Sequence, residues 1–221
     1  MAQTKSELLP VPWKLGEHIA CVGDTGTGKT YLIAELVKQR EYVVIFRTKP
    51  DDIKFPGFTT VRKAEAMDDW HNNKILLVPK HADQLIEGFR MLTKAWDHGR
   101  WTIVIDEQWY AERLGLKPYI ERLLTQGRSV GISVITGMQR PAMISRFAIS
   151  QCTHLFTFRV DGRDLDTIKL ATTPRIVPAV NRLEGKNFAY YNRAQRIVAI
   201  GNAKKLGAII RIPTKEKLVA I

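Results

Sequence analysis

Gly23-Asp24-Thr25-Gly26-Thr27-Gly28-Lys29-Thr30 follows the spacing GxxxxGK[ST]. On its N-terminal side His18 to Val22 reads as a short buried strand. On its C-terminal side Leu32, Ile33, Leu36 and Val37 recur at helical spacing, with Glu35, Lys38 and Gln39 between them. Strand, glycine-rich turn and helix together are the setting in which this pattern cradles phosphates. Glycines suit it because the backbone N–H groups must approach phosphate oxygens along a path where a Cβ would clash. The helix start adds its positive end and its unsatisfied N–H groups. The binding set expected from this stretch is Gly23, Asp24, Thr25, Gly26, Thr27, Gly28, Lys29, Thr30 and Tyr31. Lys29 is expected to reach the β and γ phosphates of ATP, and the Thr30 hydroxyl to ligate Mg²⁺.

Working outward, strand-like and helix-like runs alternate, the signature of a mostly parallel sheet flanked by helices. Tyr42 to Phe46, Trp101 to Ile105, Ile132 to Thr136 and Leu155 to Phe158 join the first strand as core strands, and Ile75 to Val78 is a further apolar run. Helices are expected over Asp83 to Trp96, Tyr119 to Thr125, Met143 to Ser150 and Asp164 to Leu170. After Pro174 the runs Phe188 to Tyr191 and Ile197 to Ile200, around Asn192 and Arg193, suggest a hairpin. From Asn202 onward the pattern assigns nothing.

Thr102-Ile103-Val104-Ile105 ends in Asp106-Glu107. Ligands of open α/β sheets bind outside the carboxyl ends of the strands. Asp106 is therefore expected to hold Mg²⁺, and Glu107 to orient and deprotonate an attacking water. A lone Asp would suit phosphotransfer equally well; the pair favours hydrolysis. Gln139 follows the next strand, and if that strand lies between those of the phosphate loop and Asp106, its amide emerges beside the γ-phosphate. An arginine supplied by a neighbouring subunit would complete such a site. Arg128 is the first candidate, Arg146 the second and Arg122 a weaker third.

The 221 residues, 45% hydrophobic, suffice for one core without disulfide or metal staples. Cys21 and Cys152 form no CxxC pair, which argues against a zinc site or a disulfide scaffold. Neither a signal-peptide core nor a run of about 18 apolar residues occurs, so a soluble chain is expected. The net charge of +12 points to a polyanionic partner. It is concentrated: Arg175, Arg182, Lys186, Arg193, Arg196, Lys204, Lys205, Arg211, Lys215 and Lys217 face only Glu184 and Glu216 after residue 172. A core over 1–172 and a basic extension over 173–221, packed into one domain, is the expected organisation.

Four pieces, GDTGTGKT, IVIDE, GRSVGI and MQRP, spread over Glu17 to Arg159, together resemble the FtsK–HerA superfamily of P-loop ATPases. Gly127-Arg128 ahead of Gly131-Ile132, with Gln139-Arg140-Pro141 after it, is the more specific part of that likeness. The resemblance implies a RecA-like (ASCE) P-loop NTPase sheet of order 5-1-4-3-2 over the five core strands, an arginine finger near Arg128, a sensor at Gln139, and a hexameric ring with ATP between subunits. With no separate DNA-reading or barrel domain, the chain is most similar to the genome-packaging ATPases of tailless, internal-membrane double-stranded DNA viruses. That implies a DNA translocase in the host cytoplasm or at the virion vertex, meeting double-stranded DNA and a capsid or portal protein.

Two other readings remain at this level. A small-molecule kinase would use Arg159, Arg163 and Lys169 on a helical lid that excludes water. An ATP-gated assembly or secretion factor would bind ATP and a protein without DNA-dependent turnover.

Overall fold

A computed structural model describes residues 8–9, 13–49, 55–69, 71–204 and 209–211. The strands are β1 (Leu8–Leu9), β2 (Ile19–Val22), β3 (Val43–Phe46), β4 (Thr59–Val61), β5 (Lys74–Leu77), β6 (Thr102–Ile105), β7 (Ser133–Met138), β8 (His154–Thr157), β9 (Asn187–Asn192), β10 (Ile197–Asn202) and β11 (Ile209–Arg211). The helices are α1 (Lys29–Val37), α2 (Gln84–His98), α3 (Gln108–Ala111), α4 (Lys117–Gln126), α5 (Phe147–Ser150), α6 (Gly162–Ala171) and α7 (Ile176–Asn181).

All strands join one sheet, ordered β1-β11-β10-β9-β8-β2-β7-β6-β3-β5-β4. Its middle, β8-β2-β7-β6-β3, is the five-strand order 5-1-4-3-2 expected for the core. The sheet is wider than that order allowed: β5 and β4 extend the parallel side, and β9, β10, β11 and β1 extend the other side in antiparallel pairing.

β2, β3 and β6 are apolar throughout or nearly so because both faces are covered. Alternate residues serve opposite layers: Val43 and Ile45 pack with Leu32, Ile33, Leu36 and Val37 of α1, whereas Val44 and Phe46 pack with the layer containing Met91, Ile120 and Ile168. The hairpin β9–β10 divides likewise, with Phe188 and Tyr190 on the α1 side and Ala189 and Tyr191 on the other.

Two local expectations are corrected. Met143 to Ser150 is not one helix: Pro141–Met143 forms a single 3₁₀ turn and α5 starts only at Phe147. Between them the Ser145 N–H donates to the Glu112 carboxylate and its hydroxyl to Glu121, so tertiary bonds draw the backbone away from helical pairing. The segment after Pro174 contains α7 ahead of the hairpin. Pro178 is its third residue, in the first turn where no N–H is needed.

Arg193, on the β9–β10 turn, donates to the carbonyls of Cys152, Ile149 and Ala171 at 3.0, 3.2 and 2.8 Å. The guanidinium thereby ties the ends of α5 and α6 to the hairpin. No helix among the described residues is long and apolar enough to cross a membrane. The tail expectations on Lys205, Lys215 and Lys217 lie outside the described residues, as do Pro50 and Asp51 of the loop after β3.

Candidate nucleotide site

The carboxyl ends of β2, β3, β6 and β7 meet in a cleft of about 330 Å³. Thr25, Gly26, Gly28, Lys29, Thr30 and Tyr31 line one wall, and Asp106, Glu107 and Gln139 the facing one. Gly23, Asp24 and Thr27 shape the loop behind that wall rather than lining it: the Thr27 hydroxyl donates to the Asp24 carbonyl at 2.8 Å. Gly28 precedes α1 at φ 113°, a left-handed conformation that glycine adopts without strain. No side chain caps the start of α1, so its N–H groups are available to an anion.

Lys29 is buried, 8% exposed, and its ammonium donates to the Gly23 and Asp24 carbonyls at 2.6 and 2.7 Å. Burial lowers its pKa, opposed chiefly by the nearby Asp106 carboxylate. A buried cation whose direct hydrogen bonds go only to loop carbonyls suits a phosphate, whose oxygens can take their place as charged acceptors. Thr30 and Asp106 offer the hard oxygen donors that Mg²⁺ prefers. The residues therefore fit ATP with Mg²⁺.

A chain of hydrogen bonds crosses the cleft. The Thr25 hydroxyl donates to Gln139 Oε1 at 3.1 Å, and Gln139 Nε2 donates to Glu107 Oε1 at 3.0 Å. One amide thus reads the phosphate loop with its oxygen and the candidate base with its nitrogen. Lys49 Nζ also donates to Glu107 Oε1, at 2.7 Å, and Arg47 Nη2 lies 3.4 Å from Asp106 Oδ2.

Arg47, Thr48 and Lys49 line the cleft but were not among the residues expected from sequence. Their signal was available: β3 neighbours β6 in the expected order, which places the residues after Phe46 beside the acidic pair. Lys186 also enters the cleft, donating to the Gly26 carbonyl from the turn ahead of β9. It was counted only as part of the basic extension.

β7 approaches β6 so closely that a Cβ at Gly137 would lie 2.4 Å from the Asp106 carbonyl oxygen and 3.1 Å from its carbon. Gly137→Ala must push apart the strands that present Asp106 and Gln139. We expect a loss of about 1–3 kcal/mol in chemical denaturation, together with reduced ATP turnover. Wild-type stability and turnover would contradict this.

The arginine candidates lie away from the cleft of their own chain. Arg128 is exposed, in the turn before β7, at the sheet end opposite the phosphate loop. Arg146 is exposed ahead of α5, 5.5 Å from the Phe147 ring, and Arg122 stacks on Trp96 at 3.9 Å.

His18 lies under Arg128. Burial, then the Arg128 charge, lower its pKa from 6.5 to about 4, and its Nδ1 accepts the Val134 N–H at 3.0 Å. Between those values the unfolded chain holds the extra proton, so stability is fully present above pH 6.5 and falls as pH drops toward 4. The loss approaches about 3 kcal/mol. Denaturant titrations across this window should show a shallower acid limb for His18→Gln than for the wild type; equal slopes would exclude His18 as the cause.

No family model matches the chain. It is 28% identical over 162 residues, 69% of each sequence, to the DNA packaging ATPase P9 of Enterobacteria phage PRD1. In fold it is similar to the genome packaging NTPase B204 of Sulfolobus turreted icosahedral virus 2 in complex with AMPPCP, with a TM-score of 0.70 at 18% identity, covering 85% of this chain and 97% of that one. The cytoplasmic domain of the Thermomonospora curvata type VII secretion ATPase EccC matches at a TM-score of 0.57 and 16% identity, over 92% of this chain and 26% of that one. With the phosphate loop, the acidic strand end and the Gln139 strand between them, the chain has a P-loop NTPase fold like that of B204 and is similar in sequence to a viral DNA packaging ATPase.

Proposed function

We propose that this chain hydrolyses ATP and uses the energy to drive double-stranded DNA, as a genome-packaging motor. The observation that carries the hydrolytic part is the Thr25–Gln139–Glu107 chain, which sets a carboxylate opposite the phosphate loop. The relation to P9 supports packaging, and the basic excess of the chain supports a polyanionic substrate.

The roles follow from position. Lys29 and the N–H groups at the start of α1 hold the β and γ phosphates. Thr30 and Asp106 hold Mg²⁺, which when bound offsets charge on the phosphate oxygens. Glu107 accepts the proton of the attacking water, while Lys49 and Gln139 fix the carboxylate that does so. Gln139 also meets the loop through Thr25, so its position depends on what the loop holds. Arg128, remote from its own cleft, serves the cleft of a neighbour in a homohexameric ring. A capsid or portal protein is the partner such a ring docks on, in the host cytoplasm or at the virion vertex.

The kinase reading finds no support in the cleft. Arg159, Arg163 and Lys169 do not line it, and α6 is anchored by buried Ile168 and by Asp164, which accepts the Ala142 N–H at 3.1 Å.

The test is an ATPase assay with and without duplex DNA over a salt series, combined with the mass of the assembly. Stimulation by DNA that fades steeply with salt, from a multi-subunit particle, is the expected result. Turnover indifferent to DNA at every salt concentration would reject the motor reading.

A further inference from the structure

A second concavity, of about 490 Å³, is lined by Thr172, Thr173, Arg175, Tyr191, Arg193 and Arg196. It sits at the sheet end opposite the nucleotide cleft, where the β9–β10 turn adjoins the start of β8 and the α6–α7 connection. Three of its six lining residues are arginines and none is acidic. Arg193 is spent on three carbonyls, which leaves its positive charge without a carboxylate partner. Arg175 and Arg196 are exposed and form no ion pair among the described residues. Like charges gathered this way repel one another, and an anion relieves the repulsion.

A backbone feature points the same way. Arg196 has φ 54°, in the left-handed region where glycine is free of strain and an L side chain is not. The turn places an arginine where folding alone favours glycine. Nothing in the pocket suits a nucleoside base: Tyr191 is 7% exposed and offers no open face for stacking. Guanidinium groups and hydroxyls are the usual contacts to phosphodiester oxygens and carry no sequence preference; here Thr173 can donate, whereas the Thr172 hydroxyl is committed to the Ile168 carbonyl.

We propose that this pocket grips the phosphate backbone of double-stranded DNA. It rests on DNA being the substrate of the motor and names where the chain holds it. The connection to ATP is short. α6 spans ten residues, about 15 Å. Near its start Asp164 pairs with Arg140, next to Gln139, at 3.3 Å; at its end the Ala171 carbonyl accepts Arg193 at 2.8 Å. One helix touches both the Gln139 loop and the pocket.

The experiment measures anisotropy of a fluorescein-labelled 30-base-pair duplex against salt, alongside ATPase rates, for the wild type, Arg175→Ala/Arg196→Ala and Arg196→Gly. Arg193 stays, because it holds the fold. In the double variant basal turnover is unchanged, DNA affinity falls about tenfold, DNA stimulation is lost, and the slope of log K against log salt shrinks by about 2 per bound chain. Arg196→Gly loses affinity without any fall in melting temperature, which separates the contact from the fold. Unchanged affinity and slope in the double variant, with the wild type binding DNA, overturns the pocket alone, whatever protein it then recognises. A wild type that binds no duplex overturns the pocket and the motor reading together.

Discussion

Glu107→Gln is expected to lower ATP turnover by about 10²–10⁴-fold while leaving nucleotide affinity near that of the wild type. Glu107 Oε1 accepts hydrogen bonds from both Lys49 and Gln139. The amide oxygen of a glutamine can accept the same two, so the side chain keeps its place and loses its basicity. Nucleotide affinity depends mainly on the opposite wall, on Lys29 and the start of α1, which this change does not touch. Single-turnover hydrolysis and titration with a fluorescent ATP analogue separate the two quantities. Turnover within tenfold of the wild type would remove Glu107 as the base. Loss of affinity in parallel with turnover would instead make it a binding residue.

The parts of the site that could be read from sequence are those in which a motif and its supporting element lie within one stretch of chain. The phosphate loop is flanked by its own strand and helix, and Asp106-Glu107 ends its own buried strand, so local patterning sufficed. The place of β7 between β2 and β6 came from the family likeness, because hydrophobic runs carry no information about which strands are neighbours. Arg47 and Lys49 carry no motif of their own; the order implied by that likeness sets β3 beside β6, and only through this pairing do they reach the acidic pair. Lys186 is separated by 160 residues from the carbonyl it meets, and a charge count cannot tell a lysine over the phosphate loop from one on an open basic surface. α7 falls between Pro174 and the hairpin, where the pattern assigned no helix; it is only six residues long, and its Pro178 sits in the first turn, where a proline is compatible with a helix. Ser145 shows the opposite error, an apolar helical pattern interrupted by carboxylates from Glu112 and Glu121 that no local window contains.

Arg128→Ala is expected to lower turnover by about 10³–10⁵-fold, and mixing it with Lys29→Ala should restore activity that neither variant has alone. Arg128 is at the amino end of β7 and the phosphate loop beyond the carboxyl ends of β2 and β7. The six residues of β7 alone span about 20 Å. An arginine side chain does not bridge that distance, so any contact with ATP must be made with another copy. In a mixed ring, an Arg128→Ala subunit retains its own phosphate loop and a Lys29→Ala neighbour retains the arginine to complete it. Random mixing in equal amounts makes about a quarter of interfaces complete in this sense. The same mixture with Arg146→Ala or Arg122→Ala tests the competing candidates. Arg122 starts at a disadvantage because its guanidinium already stacks on Trp96. Rescue with Arg146→Ala and not with Arg128→Ala would transfer the role, and absence of rescue for all three would show that each copy hydrolyses ATP without a neighbour's arginine.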